Sequence, residues 1–338
     1  MGNQMKQWQF GPEGRASLAL AEVPVPQPGP GEALVRVKAV SLNYRDKLIL
    51  DDVGYVPLGG TKVLGSDMAG EVVGLGEGAG RVALGDRVIA NFGGDWIDGP
   101  SPRMVPTLGG ALKGVLADYV TMPVEWLVKA PANLDDIEAS TLPIAGLTAW
   151  TALVENGPVR PGQSVLVQGT GGVALFAVQI ALAMGAQVIV TSSGPDKLAR
   201  LQALGPVQGI DRKQRPDWEV AALELTDGRG VDHVLEMAGG DNLIRSVKAI
   251  APGGKISLIG VIDGFSANLP LFDAFQAQAT LQALLVGHRT GLEHLIQAVE
   301  RIKLKPVIDS SFDFTDVPAA LTRLDEGPLG KIVIRVGG

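Results

Sequence analysis

An apolar run, Ser164-Val-Leu-Val-Gln168, passes directly into Gly169-Thr170-Gly171-Gly172-Val173-Ala174 and then into a segment that is apolar nearly all round. The small residues at 169, 171 and 174 have separate jobs. The first makes a tight turn, the second lets the backbone approach a pyrophosphate, and the third lets a helix lie close on its strand. N–H groups at the start of a helix lack intrahelical partners and can hold phosphate oxygens. The spacing therefore predicts a dinucleotide site built on Gly169, Thr170, Gly171, Gly172 and Val173. About twenty residues further on, a site for NAD carries an acid that grips the adenosine ribose. Here the second strand ends Val190-Thr191-Ser192-Ser193, with no acid, and Lys197 follows. Arg212 lies just beyond the expected third strand. Two hydroxyls and two cations suit a 2′-phosphate, so Ser192, Ser193, Lys197 and Arg212 predict NADPH, with NADH left open. Asp196 is read as stabilising the first turn of the next helix.

Other chemistry is excluded by what the chain lacks. It has no cysteine, which removes disulfides, thiolate metal sites and a cysteine nucleophile. No nucleophile elbow or other hydrolase signature is present. The balance of 29 basic and 36 acidic residues, net -7, argues against nucleic acid as a partner, because backbone binding needs clustered Lys and Arg. The N-terminal stretch lacks the apolar core of a signal peptide, and the longest apolar run is interrupted by Gln179, short of a bilayer span. The expectation is a soluble cytoplasmic protein acting on a small molecule.

The glycine turn needs a strand before it and a helix after it, and the sequence supplies both in series. From residue 131 to 288 strands alternate with helical segments. The strands are Ser164–Gln168, Gln187–Thr191, Val231–Glu236, Lys255–Gly260 and Thr280–Val286, and the helices include 172–184 and 195–204. This alternation predicts an α/β fold with a doubly wound parallel sheet of the Rossmann type. Residues 1–130 read instead as short strands between Gly/Pro turns, among them 33–40, 70–74 and 87–90. After 288 come an amphipathic helix, 292–302, and a last strand, 331–336.

Several stretches carry a resemblance: Ser41-Leu-Asn-Tyr-Arg-Asp46, Leu64-Gly-Ser-Asp-Met-Ala-Gly70, Leu84-Gly-Asp-Arg-Val88, Leu142-Pro-Ile-Ala-Gly-Leu-Thr-Ala-Trp150 and Gly230-Val-Asp-His233. With the glycine turn, they make the chain resemble the medium-chain dehydrogenase/reductase superfamily over essentially its whole length. The branch most like it is that of zinc-independent quinone oxidoreductases and alcohol dehydrogenase-like proteins. The resemblance implies a GroES-like β-rich catalytic domain, 1–130 completed by 289–338, around a Rossmann domain, 131–288. It implies a homodimer or higher homo-oligomer joined through the outer strand Thr280–Val286. It also places Gly260, Val286 and Gly287 among the cofactor-binding residues.

Zinc-bearing relatives place a cysteine where Asn43 stands, a His-Glu pair where Ser66-Asp67 stands and a cysteine near Ile144. The resemblance thus implies no zinc. Without a Lewis acid, hydride addition to a plain ketone leaves a poorly stabilised alkoxide, whereas a quinone or enone spreads the charge over a conjugated system. Reduction of a quinone or α,β-unsaturated carbonyl is the expected activity. A zinc-free alcohol dehydrogenase and a non-catalytic NADPH-binding protein akin to lens crystallins are the alternatives. Asn43, Tyr44 and Tyr55 are the candidates for donating to the developing oxyanion and orienting the substrate. His233 is expected to be structural, His294 solvated, and His288 to sit near the cleft without a chemical role.

Overall fold

The apolar segment after the glycine turn forms the helix Gly172–Ala183 in the computed structural model, and seven of its twelve side chains are buried. A helix apolar on all sides must be covered on all sides, and this one packs on the strands Ser164–Gln168 and Gln187–Ser192. Residues 4–51 and 63–337 are described. They divide into two units, Met1–Leu147 with Val286–Gly338, and Thr148–Leu285. The change of unit comes after Leu147, where the sequence pattern put it after Ala130. The intervening segment is wound into tight helical turns rather than strands. It includes a stretch of π-helix, Leu142–Gly146, and a second, Thr151–Glu155, follows at the start of the next unit; no simple apolar period exists for either.

The second unit contains a six-stranded, all-parallel sheet. Its order is Val207–Asp211, Gln187–Ser192, Ser164–Gln168, Val231–Glu236, Ile250–Leu258 and Thr280–Ala283. In chain order this is 3-2-1-4-5-6, the doubly wound arrangement, and the winding reverses between Ser164–Gln168 and Val231–Glu236. Two strands depart from expectation. The fifth starts at Ile250, before Pro252-Gly253-Gly254, and its register against the fourth jumps there. The sixth stops at Ala283, not Val286. Val286 has φ +82°, a left-handed conformation that a β-branched residue adopts only under constraint, and it cannot extend a strand.

In the first unit a seven-stranded sheet is built on the ten-residue strand Glu32–Ser41, which pairs antiparallel with Asp67–Leu75, Tyr119–Pro123 and Lys331–Arg335. The final strand therefore lies beside the first long one. Val333 pairs with Ser41, and Lys331 comes to the start of the helix Tyr44–Leu50. Val35, Val37, Val40, Met68 and Ile334 on these strands, with Leu64 and Leu116 just before two of them, are among the core residues.

Candidate functional site

Two polar centres stand out, one in each unit. In the Thr148–Leu285 unit, Gly169 takes φ +80°, which only glycine adopts freely, and its N–H bonds the Thr191 carbonyl at 2.8 Å. That bond fixes the turn to the second strand. A methyl group at Gly169 or Gly171 would meet no protein atom within 4 Å, so the turn leaves open space above it. Ala174, the third small residue, is buried. Gly171 caps the helix, and the first N–H groups behind it point along the axis with no intrahelical partner. Thr170 is buried, while Gly172 and Val173 are half-buried.

The second strand's end is equally defined. Ser192 is buried, and its hydroxyl lies 3.5 Å from the Gly194 carbonyl. Ser193 is exposed, and Lys197 is half-buried in the first turn of the helix Pro195–Leu201. The Arg212 N–H bonds the Ser192 carbonyl at 2.8 Å, so Arg212 stands beside the serine pair. Arg212 also lines a cavity of about 340 Å³ with Trp218, Asp241, Asn242, Arg245 and Asp263. Gly260 belongs to the same edge. Its N–H bonds the Glu236 carbonyl at 3.1 Å, and a Cβ there would come within 1.7 Å of the Met237 carbonyl. Only glycine allows these two strand ends to approach so closely. Val286 and Gly287 fall in the other unit.

The second centre surrounds Asn43. This residue precedes the helix Tyr44–Leu50, and its N–H is accepted by the Asp46 carboxylate at 2.8 Å, one half of a capping box. Its side-chain amide is fully engaged. Nδ2 donates to Asp67 Oδ2 at 2.9 Å and to the Ser41 carbonyl at 3.4 Å, and Oδ1 accepts from Lys331 Nζ at 2.7 Å. Lys331 Nζ also donates to the Leu42 carbonyl at 2.7 Å. With a carboxylate on one side and an ammonium on the other, the amide has a single orientation. Asn43 therefore offers no spare donor in this arrangement, because the buried charges on either side claim it. Tyr44, next in sequence, is 41% exposed and can meet a ligand. Tyr55 lies outside the described residues. Tyr119 packs against the core, His233 is buried, and His288 accepts the Gly291 N–H at 2.9 Å as the cap of the helix Arg289–Ile302.

Burial sets the electrostatics here. Asp67 is pushed up to about 7, chiefly by loss of solvent, against the opposing pull of Lys331 and the Asn43 hydrogen bond. Burial also raises Asp46, opposed by Arg45, and lowers Lys331, opposed by Asp67 and Asp46. The neighbouring Arg45 donates to Ser66 Oγ, to the Leu108 carbonyl at 2.9 Å and to Thr107 Oγ1 at 3.2 Å, and lies over the Phe92 ring.

Two family models match the chain: the alcohol dehydrogenase GroES-like domain over residues 29–132 and the zinc-binding dehydrogenase model over 172–302. A zinc-type alcohol dehydrogenase-like protein of Schizosaccharomyces pombe is 38% identical over 90% of this chain and 91% of its own length. The chain belongs to the medium-chain dehydrogenase/reductase superfamily. A chloroplastic quinone-oxidoreductase of Triphysaria versicolor is 30% identical over 95% of this chain and 94% of its own. A crystal structure from Sinorhizobium meliloti assigned to the alcohol dehydrogenases is 50% identical, with a TM-score of 0.95 over 99% of both chains. This medium-chain dehydrogenase/reductase is an NAD(P)H-dependent oxidoreductase with a Rossmann-like parallel sheet and a GroES-like β-rich part.

The zinc-binding dehydrogenase model raises the question of a metal. Asn43, Ser66, Asp67 and Ile144 stand where zinc-bearing members carry ligands, and they do not fit one. Asn43 and Asp67 are bonded to each other, Ser66 takes the guanidinium of Arg45, and Ile144 has no donor atom. Among the described residues no three His, Cys, Asp or Glu side chains are grouped to hold a metal. The glycine turn, by contrast, fits a dinucleotide pyrophosphate in its open space, its left-handed Gly169 and its helix start.

The sequence reading missed two sets of residues. The Asn43–Asp67–Lys331 cluster joins positions 288 residues apart and has no local pattern, though a lysine in an otherwise apolar closing strand was a signal. The other set is Gln168, Glu236 and Asn242, where a glutamate ending a strand of buried residues was the available sign.

Proposed function

We propose that this protein transfers hydride from NADPH to a conjugated carbonyl, a quinone or an α,β-unsaturated ketone or aldehyde, without a metal. The observation that carries this reading is the state of Asn43, Ser66 and Asp67: Asn43 and Asp67 are bonded to each other, Asn43 also to the buried Lys331, and Ser66 to the half-buried Arg45. A site of this kind offers hydrogen bonds, not a Lewis acid, to the oxygen that gains charge, and that suits an acceptor which delocalises the charge itself. When bound, the nicotinamide supplies the hydride. Gly171, Gly172 and Val173 would hold the pyrophosphate by backbone N–H groups at the helix start, with Gly169 shaping the turn beneath it, and Ser192, Ser193, Lys197 and Arg212 would receive the 2′-phosphate. The cavity beside Arg212 takes the adenine. Tyr44 donates to the acceptor oxygen and passes its proton on, while Asn43 holds the helix that carries Tyr44. The outer strand of the parallel sheet, Thr280–Ala283, is the proposed dimer seam.

An acceptor panel tests the reading. NADPH oxidation is expected with a quinone and an enone and to be at least about a hundred-fold slower with a saturated ketone, a difference of about 2.7 kcal/mol in barrier. Tyr44→Phe is expected to lower kcat for the conjugated acceptors and leave NADPH affinity unchanged. Ketone turnover equal to that of the enone would favour the alcohol dehydrogenase reading, which the name of the Schizosaccharomyces pombe relative supports.

A further inference from the structure

Glu236 ends the fourth strand of the parallel sheet at the point where the winding reverses, and it is only 1% exposed. Such a buried acid is normally matched by a cation. Among the described residues none pairs with it, and every partner is a neutral donor. Oε1 accepts from the Ala238 N–H at 2.9 Å, the Gly239 N–H at 3.0 Å and Asn242 Nδ2 at 2.9 Å. Oε2 accepts from Gln168 Nε2 at 3.0 Å, from Asn242 Nδ2 at 3.0 Å and from the Ser246 hydroxyl. Gln168 completes the net, because its Oε1 accepts from the Met237 N–H at 3.1 Å and from Asn242 Nδ2 at 3.0 Å.

The direction of these bonds matters more than their number. Gln168 is the residue immediately before Gly169, so one arm of the net reaches the base of the glycine turn. The other arm holds the turn 237–241 and Asn242, which lines the cavity shared with Arg212 and accepts the Trp218 Nε1–H at 3.3 Å. Residues on the two strands flanking the switch point are thus clamped through one carboxylate. A glutamine at 236 is nearly isosteric, but its NH₂ group would face donors in either orientation. It would cost the bonds that the lost oxygen accepts, or push the turn away.

We propose that Glu236 is a positioning residue for the dinucleotide, setting the distance between the glycine turn and the Asn242 wall of the cavity. The proposal rests on the reading that the cofactor lies along this edge of the sheet. Glu236 touches no cofactor atom and acts through Gln168 and Asn242. Its loss should therefore change how well the dinucleotide binds, without regard to the 2′-phosphate, and should leave hydride transfer from the bound cofactor intact.

Fluorescence titration with NADPH and NADH, with steady-state rates and thermal melts on the same full-length samples, tests this. Glu236→Gln is expected to weaken both cofactors about ten-fold, roughly 1.4 kcal/mol, with kcat at saturating cofactor within about two-fold of wild type. Asn242→Ala, which also alters the cavity wall, should give at least a similar loss, and the double variant should lose less than the sum of the two, because both act through one net. Should Glu236→Gln fold poorly, Ser246→Ala, which removes a donor to the same carboxylate and lies outside the cavity lining, carries the same test. Thr226→Val supplies the control. Thr226 bonds the Gly230 N–H at the opposite end of the same strand, so its loss lowers stability without touching the clamp. Wild-type affinity in Glu236→Gln, additive losses in the double variant, or an equal loss in Thr226→Val would overturn the proposal. A wild type that bound neither cofactor would remove the reading beneath it as well.

Discussion

Lys197 and Asp67 each place a single charge where it decides something measurable. Lys197 sits one turn beyond Ser192 and Ser193, on the helix that follows the second strand. If it faces the 2′-phosphate, Lys197→Ala removes a charge-assisted hydrogen bond of roughly 1.5–3 kcal/mol, about ten-fold or more in NADPH affinity, and leaves NADH binding unchanged. Ser192→Asp should go further, repelling the phosphate while offering an acceptor to the ribose. Equal losses for both cofactors in Lys197→Ala would show that the phosphate lies elsewhere. Asp67 makes a pH prediction. Its carboxyl is raised from an ordinary 3.8 to about 7 by burial, so the folded chain keeps a proton that the unfolded chain releases. Between those two values the native state binds more protons. Stability from this group is therefore lost as pH rises from about 4 to about 7 and is level above that. Asp67→Asn keeps the acceptor for Asn43 but cannot titrate. Its melting temperature should gain on that of wild type between pH 5 and pH 8, and parallel pH profiles would contradict the assignment.

At the scale of elements, the edge strand Thr280–Ala283 is the informative piece. Among the described residues it pairs on one side only, and the helix before it, Leu271–Ala277, exposes Phe272 and Phe275, each 71% accessible. An open strand edge beside exposed aromatics invites a second copy. Light scattering is expected to give a dimer at micromolar concentration, and Phe272→Lys with Phe275→Lys to give a monomer with an unchanged melting temperature. A monomeric wild type would defeat this. These elements also show how far the sequence could be read. Ser164–Gln168, Val231–Glu236 and the helix 172–183 were legible because their apolar patterns and glycine punctuation are local. The start of the fifth strand at Ile250 was not, because Pro252-Gly253-Gly254 reads as a turn and only pairing with Val231 holds the first residues in the sheet. The end of the sixth strand was hidden by the apolar Leu284-Leu285-Val286, whose backbone conformation is set by tertiary packing. Asn43 was found as a position of interest, but its engagement by Asp67 and Lys331 depends on a strand from the far end of the chain.

Across the whole molecule, each of the two units holds a polar centre of its own. The Thr148–Leu285 unit carries the glycine turn, the cavity beside Arg212 and the hydrogen-bond net around Glu236. The Met1–Leu147 and Val286–Gly338 unit supplies Tyr44 and the buried Asn43–Asp67–Lys331 cluster. No helix among the described residues is long and apolar enough to cross a membrane. The superfamily contains zinc-bearing members, and the account here turns on the claim that this chain works without the metal. The most direct measurement is elemental analysis of the purified protein, paired with NADPH-dependent reduction of an enone before and after exhaustive treatment with a chelator. The account predicts zinc far below one ion per chain and the same rate in both assays. One zinc per chain, with activity lost on its removal and restored by its return, would contradict it.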